Sequence, residues 1–198
     1  PPAIVDAPVI QLGEADVELV AVVNEQGEEL PPDTAGILAV DISQSPMMWF
    51  GGYKESRKSP FVGNYYLTGD TAELHSDGSM SFVGRSDDVI TTSGYRIGPF
   101  DVESALLEHD AVIEAAVIGV PDPDRTELVK AFVILAAGVQ STVALAEELS
   151  QFVKKRLSAH AYPRLVEFVT ELPKTPSGKI QRFLLRNQEI AKQQAKAG

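Results

Sequence analysis

The residues best suited to chemistry lie near the end of the chain, in the segment 173–180 with the sequence PKTPSGKI. Its two prolines and its glycine exclude a regular helix or a central strand, so we predict a loop here. The loop places Lys179 directly before a charged stretch, residues 181–196, that is predicted to be helical. An ammonium group held in this way can stabilise negative charge on a phosphoryl or acyl group during transfer. Considered alone, a loop lysine is most often simply solvated.

Three further motifs favour the chemical interpretation of that lysine. They are YLTGD at residues 66–70, GRSDD at 84–88 and SGYRI at 93–97. Together with the lysine loop, and in this order and spacing, they resemble the motifs of the adenylate-forming ligases. The longer stretch SGYRIGPFDVE, residues 93–103, resembles the CoA-ligating branch in particular, and most closely the medium-chain acyl-CoA synthetases. The resemblance runs from about residue 52 to residue 189.

The resemblance implies a reaction in two halves. A carboxylate, from a fatty or aryl acid, attacks the α-phosphate of ATP to give acyl-adenylate and pyrophosphate, and the CoA thiol then takes the acyl group and expels AMP. Lys179 matches the family's catalytic lysine, which also contacts the nucleotide, and charge stabilisation is most of what such a step requires. ATP and CoA are therefore the expected substrates. Mg²⁺ is expected with ATP, with no ligands for it in this chain.

Other nucleotide-binding positions follow from the same resemblance. Asp70 matches the residue that accepts hydrogen bonds from the ribose hydroxyls, a task that suits a carboxylate. Arg85 matches an arginine that contacts the nucleotide, and its alternative is a surface ion pair with Asp87 or Asp88. Asp87 matches the hinge about which family members swing the small domain between the two half-reactions.

The second half-reaction has its own candidate residues. Ser93, Gly94 and Tyr95 match the edge of the pantetheine tunnel, where glycine allows the thiol arm to approach closely. Arg96 matches a residue near the active site in the thioester-forming state. The positions that match the nucleotide end of CoA are Arg125, Lys154, Tyr162, Pro163 and Arg164. Three cations suit a 3′-phosphate and a pyrophosphate. The alternative is that these three side chains are ordinary solvated surface cations.

Composition excludes several classes of protein. The chain has 198 residues, a net charge of −11 and no cysteine. The charge argues against a nucleic-acid partner, and the lack of cysteine excludes disulfides and thiolate catalysis. No apolar run has the length of a bilayer span and no signal segment is recognisable, so we expect a cytoplasmic protein. The three histidines, His75, His109 and His160, show no metal-ligand spacing, and we predict no metal site.

The charge is unevenly distributed along the chain. From residue 179 onward five basic residues face a single acid, Glu189, which gives a local balance of +4. The five are Lys179, Arg182, Arg186, Lys192 and Lys196. We predict that this local cluster binds phosphates, while the negative charge of the whole chain serves solubility.

Hydrophobic periodicity predicts an α+β fold in two parts. Residues 1–86 are predicted to be β-rich, and residues 87–198 are predicted to form a compact α+β domain. The resemblance implies that the first part is the barrel-like end of a large N-terminal domain and that the second is the mobile C-terminal domain. In the first part we predict strands at 17–23, 36–40, 65–67, 71–74 and 80–83. In the second we predict a hairpin at 88–97, helices at 99–109, 141–159 and 181–196, and strands at 112–120, 129–135 and 165–169.

The first residue, Pro1, gives an expectation about the rest of the protein. Because the chain does not begin with methionine, we expect a C-terminal fragment, inactive alone, that works with the remaining N-terminal domain of the same protein. The acyl pocket is expected in that absent portion. Two alternatives remain open: an adenylation-domain piece of a peptide synthetase, and a stand-alone module that binds a nucleotide or a protein.

Overall fold

The computed structural model describes residues 9–11, 19–45, 50–51 and 59–197. Within these ranges the chain forms two compact units, one ending at Asp87 and one beginning at Asp88. We call them the N-unit and the C-unit. The first two residues of the strand predicted at 17–23 lie outside the described residues. No helix within the described ranges is both long and apolar enough to cross a lipid bilayer.

The N-unit contains an antiparallel sheet. Its described strands are β1 (Val9–Gln11), β2 (Val20–Val23), β3 (Gly36–Asp41), β4 (Phe61–Val62), β5 (Tyr65–Leu74) and β6 (Ser79–Arg85). Their order is β1-β6-β5-β3-β2, and β4 also pairs with β5. Val22, Ala72 and Met80 are buried together on one face, which fixes which side of β5 turns inward.

One difference from the sequence prediction bears on function. The two short strands predicted at 65–67 and 71–74 are a single ten-residue strand, β5. Gly69 lies within it at φ +79°, and the register with β6 shifts between Thr71 and Ala72. The Gly-Asp pair suggested a turn because glycine adopts positive φ easily. Pairing with the neighbouring strands carries the strand through this irregularity instead, as in a β-bulge.

The C-unit confirms the predicted order of elements. Its strands are β7 (Ile90–Thr92), β8 (Tyr95–Ile97), β9 (Val112–Asp122), β10 (Thr126–Leu135) and β11 (Leu165–Phe168), and its helices are α1 (Pro99–Leu107), α2 (Val143–Arg156) and α3 (Arg182–Ala197). β10 pairs with β9 along its whole length, while β7 and β11 share its other edge. Only the β10–β11 pair is parallel among the described strands of this sheet.

Both faces of the central strands are covered. Ala115 and Val117 of β9 belong to one apolar cluster, which also contains Val102 of α1 and Leu149 of α2. The alternate residues of β9 point the other way, into a second cluster that includes Leu185 of α3. Successive side chains of a strand point to opposite faces, and here both faces are covered. This explains why the runs at 112–120 and 129–135 are apolar at nearly every position. The C-unit is therefore a three-layer arrangement, helix–sheet–helix.

A buried carboxylate joins the layers of the C-unit. Glu103 of α1 is 6% exposed and accepts a 2.8 Å hydrogen bond from the Val117 N–H of β9. The guanidinium of Arg182, at the start of α3, donates to both Glu103 oxygens at 3.1 and 2.7 Å. Arg182 and Arg186 also donate to the two oxygens of Asp88 at 3.2 and 2.6 Å. Burial raises the pKa of Glu103 above its usual value, while Arg182 and the Val117 N–H act in the opposite direction.

A second ionic cluster fixes the far half of α3. Lys130 of β10 is buried and donates to Glu167 at 2.7 Å and to Glu189 at 2.6 Å. Lys192 bridges the same two carboxylates from outside. Burial alone would raise the pKa of Glu167 and of Glu189, but hydrogen bonds from the two lysines outweigh it and hold both pKa values below the usual range.

These clusters correct the prediction that the basic C-terminal stretch binds phosphates. Arg182, Arg186 and Lys192 are each paired with carboxylates of the C-unit. Their partners are supplied from far away in the sequence, by residues 88, 103 and 167, so a count of local charge could not detect the neutralisation. Among the described side chains of that stretch, Lys179 is the basic residue without a carboxylate partner.

The Arg182 contact gives a test of stability. Replacing Arg182 by Met should lower the free energy of unfolding by about 3 kcal/mol, because it leaves the Glu103 carboxylate buried without its counter-ion. Arg156→Met removes an exposed pair with Glu108 and should cost within about 0.5 kcal/mol. Urea unfolding of both variants gives the comparison. The double variant Glu103→Gln/Arg182→Met should recover more than half of the loss. Equal losses in the two single variants contradict the assignment.

The lowered pKa of Glu189 gives a pH-dependent test. A carboxyl whose pKa is lower in the folded state adds stability above its unfolded pKa of about 4.3, and that stability is lost as the pH falls through the folded value. Glu189→Gln should therefore cost more free energy of unfolding at about pH 6.5 than at about pH 3. The exposed Glu171→Gln variant is the control and should show no such difference. A loss for Glu189→Gln that is the same at both pH values refutes the pairing.

Candidate functional site

The lysine loop is held by its own hydrogen bonds. Thr175 is its centre: its N–H donates to the Lys179 carbonyl at 2.8 Å and its carbonyl accepts from the Gly178 N–H at 2.9 Å. Its hydroxyl also accepts from the Lys179 N–H at 3.1 Å. Gly178 has φ +85°, a conformation that favours glycine. The loop is therefore a tight, defined turn that presents Lys179 at a fixed backbone position.

The two lysines of this loop have different surroundings. Lys174 forms an ion pair with Glu114 of β9. The side chain of Lys179 is exposed and has no ion-pair partner among the residues that the structure describes. A charged group on an ordered backbone, with its ammonium left uncompensated, is available to an anionic ligand. One lysine of the loop is thus paired within the C-unit, and the other leaves its charge uncompensated among the described residues.

In the N-unit, the candidate ribose-binding residue and the candidate nucleotide-binding arginine are cross-strand neighbours. Asp70 of β5 and Arg85 of β6 are partners in the strand register. Nη1 of Arg85 donates to Asp70 Oδ1 at 3.1 Å and to the Thr68 carbonyl at 3.0 Å. The guanidinium lies directly over Gly69, where an added Cβ would approach Nη2 to 2.6 Å. Glycine at 69 therefore permits both the bulge in β5 and the position of Arg85.

The alternative considered for Arg85 is also present in the structure. Its Nε lies 3.6 Å from Oδ1 of Asp87, while Asp88 is paired with arginines of α3. The Arg85 side chain is 54% exposed, so these ion pairs contribute little stability. The bond to Arg85 uses one oxygen of Asp70 and orients the carboxylate, which leaves Oδ2 to accept from a ligand hydroxyl.

The turn between β7 and β8 has the geometry of a tight hairpin. Ser93 has φ +50° and Gly94 has φ +83°, as a two-residue type I′ turn requires. A Cβ at Gly94 would meet open space, with nothing within 4 Å. Arg125, in the β9–β10 connection, donates from Nη1 to the Ser93 hydroxyl at 3.1 Å and accepts from the Ser93 N–H with its carbonyl at 2.9 Å. The structure thus brings together two candidate CoA-binding segments.

The remaining CoA candidates of the C-unit collect around one aromatic ring. Lys154 Nζ lies 5.2 Å and Arg164 Cζ lies 4.8 Å from the centroid of the Tyr162 ring, within cation–π range. Pro163, between Tyr162 and Arg164 in the sequence, is buried. The Arg164 N–H donates to the Val129 carbonyl at 2.9 Å. Tyr162 and Arg164 line an open depression of about 410 Å³ beside α2. Two exposed cations are therefore placed on one aromatic platform.

His160 is a residue of this region that the sequence did not indicate as a candidate site residue. Its ring stacks on that of Tyr95 with centroids 3.8 Å apart and an interplanar angle of 15°. His160 stands two residues before Tyr162, so the stack links the β7–β8 hairpin to the Tyr162 platform. The only signal in the sequence was the aromatic-rich string HAYP at residues 160–163, which could not reveal a partner 65 positions away. Arg96, next to Tyr95, is exposed and stands opposite Thr91 in the hairpin.

Comparison with known proteins agrees with these motifs. Residues 101–179 match the family model of the AMP-binding enzyme C-terminal domain. The 4-hydroxybutyrate–CoA ligase 1 of Metallosphaera sedula is 48% identical over 176 residues, and the human mitochondrial acyl-coenzyme A synthetase ACSM4 is 49% identical over 176 residues. These matches cover 87% and 86% of this chain but 31% and 30% of the relatives, so the chain spans about a third of their length.

A solved structure gives the same assignment. The crystal structure of a Brucella canis acyl-CoA synthetase is 66% identical, with a TM-score of 0.55, and the match covers 88% of this chain and 32% of that one. The motif that carries Lys179 closes the segment matched by the family model. Residues 101–179 thus carry the AMP-binding enzyme C-terminal domain, and the homologues of the chain are acyl-CoA synthetases.

Proposed function

We propose that this chain is the C-terminal part of an AMP-forming acyl-CoA synthetase, which activates a carboxylic acid with ATP and transfers the acyl group to CoA. The observation that carries the proposal is Lys179, an exposed ammonium group on a hydrogen-bonded turn, without an ion-pair partner among the described residues. Its neighbour Lys174 is already paired with Glu114. The two lysines therefore differ in what they can offer to a ligand.

In the first half-reaction, a carboxylate oxygen attacks the α-phosphorus of ATP and the bond to the β-phosphate oxygen breaks, so that pyrophosphate leaves. Two anions come together, and negative charge accumulates on the oxygens around the α-phosphorus. Lys179 stabilises that charge, which lowers the barrier rather than only tightening binding. Mg²⁺ enters as part of the ATP substrate, and no residue of this chain is assigned to hold it.

Two residues of the N-unit hold the nucleoside in this proposal. Asp70 accepts hydrogen bonds from the ribose hydroxyls through the oxygen that Arg85 leaves open. Arg85 orients that carboxylate and brings a positive charge near the phosphate end. The contacts of Arg85 with Thr68 and Asp70 support this role, because they hold the pair in one geometry before a ligand arrives.

In the second half-reaction, the CoA thiol attacks the acyl carbonyl and AMP leaves with the bonding electrons. Gly94 forms the edge past which the pantetheine arm runs, with Ser93 and Tyr95 beside it. Arg125, Lys154 and Arg164 contact the phosphates at the nucleotide end of CoA, with Tyr162 and Pro163 as their platform. The shared platform supports this role, since a base or a phosphate placed there meets both cations. Arg96 acts near the thioester-forming site.

Several finer assignments belong to the same proposal. Asp87 is the hinge between residues 1–86, which hold the nucleoside, and a mobile domain at residues 87–198, which supplies Lys179 to the first half-reaction and the β7–β8 hairpin to the second. The remaining N-terminal domain supplies the acyl pocket, and the substrate is a fatty or aryl acid. The CoA-ligating relatives favour CoA over a carrier protein as the acyl acceptor. A cytoplasmic location stays a prediction from composition, because the human relative is named as mitochondrial.

The test of the lysine is made in the full-length protein. Lys179→Ala should slow adenylate formation by on the order of a hundredfold, the usual effect of removing one group that stabilises transition-state charge. Thioester formation from preformed acyl-adenylate should be largely retained. Pyrophosphate release and acyl-CoA formation, measured separately, give the two rates. Lys174→Ala removes the same charge from the same loop and should change adenylate formation only a few-fold. Equal losses in both half-reactions, or equal effects of the two variants, would falsify this role.

Gly94 gives the complementary test. Gly94→Leu should leave first-turnover pyrophosphate release near the wild-type rate and reduce acyl-CoA formation steeply, because the side chain obstructs the thiol arm. Gly94→Ala is the matched control, since both variants strain a residue at φ +83° but only leucine adds bulk. A Cβ at position 94 meets no other heavy atom within 4 Å in this structure, so the alanine variant reports backbone strain without a steric clash. If alanine and leucine impair the thioester step equally, strain explains the effect and the tunnel assignment is wrong.

A further inference from the structure

Three potential metal ligands converge at one end of the sheet of the N-unit, away from the residues assigned above. Asp33 lies between β2 and β3, Glu73 lies in β5, and His75 directly follows β5. Their ligand atoms all lie within 4.8 Å of one another. Nδ1 of His75 is 2.9 Å from Asp33 Oδ1 and 3.9 Å from Glu73 Oε1. No motif described so far includes them.

The strand geometry explains this convergence. Glu73 and His75 are two residues apart, so their side chains leave the chain on the same face. Asp33 is fixed beside them because its N–H donates to the Leu74 carbonyl at 2.8 Å. The opposite face of β5 carries Ala72 and Leu74 against the small apolar core of the N-unit. The polar cluster therefore occupies the face that this core does not use.

Glu73 is the observation that points to a ligand. Its side chain is only 10% exposed, and it makes no hydrogen bond among the residues that the structure describes. Its one ion-pairing neighbour among those residues is the imidazole of His75, whose Nδ1 lies 3.9 Å from Glu73 Oε1, beyond hydrogen-bond distance. Only a small part of the Glu73 side chain reaches solvent, so its hydration is reduced, and no hydrogen-bond donor among the described residues compensates for that. A simple His75–Asp33 ion pair explains two of the three side chains and leaves Glu73 unexplained.

The environment of His75 fits metal binding through Nδ1. Its other ring nitrogen, Nε2, lies 2.7 Å from the hydroxyl of Ser81 on β6. When Nε2–H donates to that oxygen, the lone pair of Nδ1 faces the two carboxylates. Metal-binding histidines commonly donate their second N–H to such a partner, which fixes the tautomer and the ring orientation. Ser81 is 5% exposed, so it acts from within the sheet as a positioning residue.

We propose that Asp33, Glu73 and His75 form a binding site for a divalent transition-metal ion, with Zn²⁺ as the ion that the donor set favours. One imidazole and two carboxylates suit Zn²⁺ better than Mg²⁺, which takes oxygen ligands almost alone. Ligand atoms of a tetrahedral zinc site stand about 3.3 Å apart when the bonds are about 2.0 Å long. The spread of 4.8 Å closes to that value by rotation of the Asp33 side chain, which is 59% exposed and would exchange its contact with His75 Nδ1 for a bond to the metal. The fourth position is left for water.

The bound ion has a structural consequence. It joins the β2–β3 connection, through Asp33, to the end of β5, through Glu73 and His75. It also compensates the buried Glu73 carboxylate, which otherwise reduces the stability of this sheet. Metal binding and folding of the N-unit are therefore coupled, and the coupling is independent of acyl transfer.

The test uses the 198-residue chain and ZnCl₂ after removal of metal with a chelator. Calorimetry should give one Zn²⁺ per chain. Glu73→Gln should weaken binding at least about tenfold, because it replaces an anionic ligand with an amide. Glu25→Gln, the same change at an exposed position of the same unit, should leave affinity within about twofold.

A second readout separates a metal ligand from a structural residue. Without metal, Glu73→Gln should raise the melting temperature, because it removes a buried carboxylate that has no hydrogen bond. With saturating Zn²⁺, the wild type should gain stability and the variant should gain little. A variant that melts lower than the wild type without metal shows that Glu73 is held by the fold alone and overturns the proposal. If Glu73→Gln does not fold, Asp33→Asn, on an exposed connection, takes its place in the affinity measurement.

The histidine ring provides the third measurement. Long-range nitrogen–proton spectra distinguish His75 from His109 and His160, the only other histidines of the chain. Zn²⁺ should shift the Nδ1 resonance of His75 selectively, and Mg²⁺ at the same concentration should not. Ser81→Ala should weaken Zn²⁺ binding by about tenfold, the usual effect of removing the partner of a metal-bound imidazole. Absence of saturable binding, or a response centred on His109 or His160, overturns the proposal.

Discussion

The arrangement of the C-unit depends on how the carboxylate of Glu103 is satisfied. This side chain of α1 accepts a hydrogen bond from the Val117 N–H of β9. It also accepts hydrogen bonds from two nitrogens of the Arg182 guanidinium, at the start of α3. One buried group therefore fixes a helix on one face of the sheet, the sheet itself and the helix on the other face. Arg182 continues to Asp88, at the start of the unit, so the same network fixes the hairpin that follows. A buried ionic group is costly unless every partner is in place, and that requirement makes the arrangement specific.

The catalytic candidates stand on connections between elements fixed in this way. The turn with Lys179 directly precedes α3, whose first residue is Arg182. The β7–β8 hairpin begins two residues after Asp88. Loops that carry function work when rigid elements determine where they begin and end. In the C-unit, the lysine turn and the hairpin each adjoin a residue of the buried ion network, Arg182 and Asp88 respectively.

Charge illustrates why composition and structure answer different questions. The basic stretch at the end of the chain looks like a phosphate-binding surface, yet three of its cations are paired with carboxylates distant in sequence. Lys179 is exposed on the turn before α3 and has no carboxylate partner among the described residues, whereas Arg182, Arg186 and Lys192 lie on α3 within reach of carboxylates of the C-unit. The surroundings of Lys179, and not the local charge count, distinguish this candidate catalytic residue from the other cations of the stretch.

The sequence by itself determined the order of elements in the C-unit, the helical and strand periods, and the motif residues from Asp70 to Lys179. Those properties follow from local sequence patterns: side-chain alternation, prolines and glycines, and short motifs of fixed spacing. Tertiary structure alone decided that β5 is continuous, because its partners β3 and β6 carry it through Gly69. It also decided that Arg85 meets Asp70, that Tyr95 stacks on His160, and that Glu73 is buried beside His75 and Asp33. Each of these contacts joins residues on different elements, and the physical reason is common to all: burial and pairing energies depend on distance in space, which the spacing of residues along a chain does not specify.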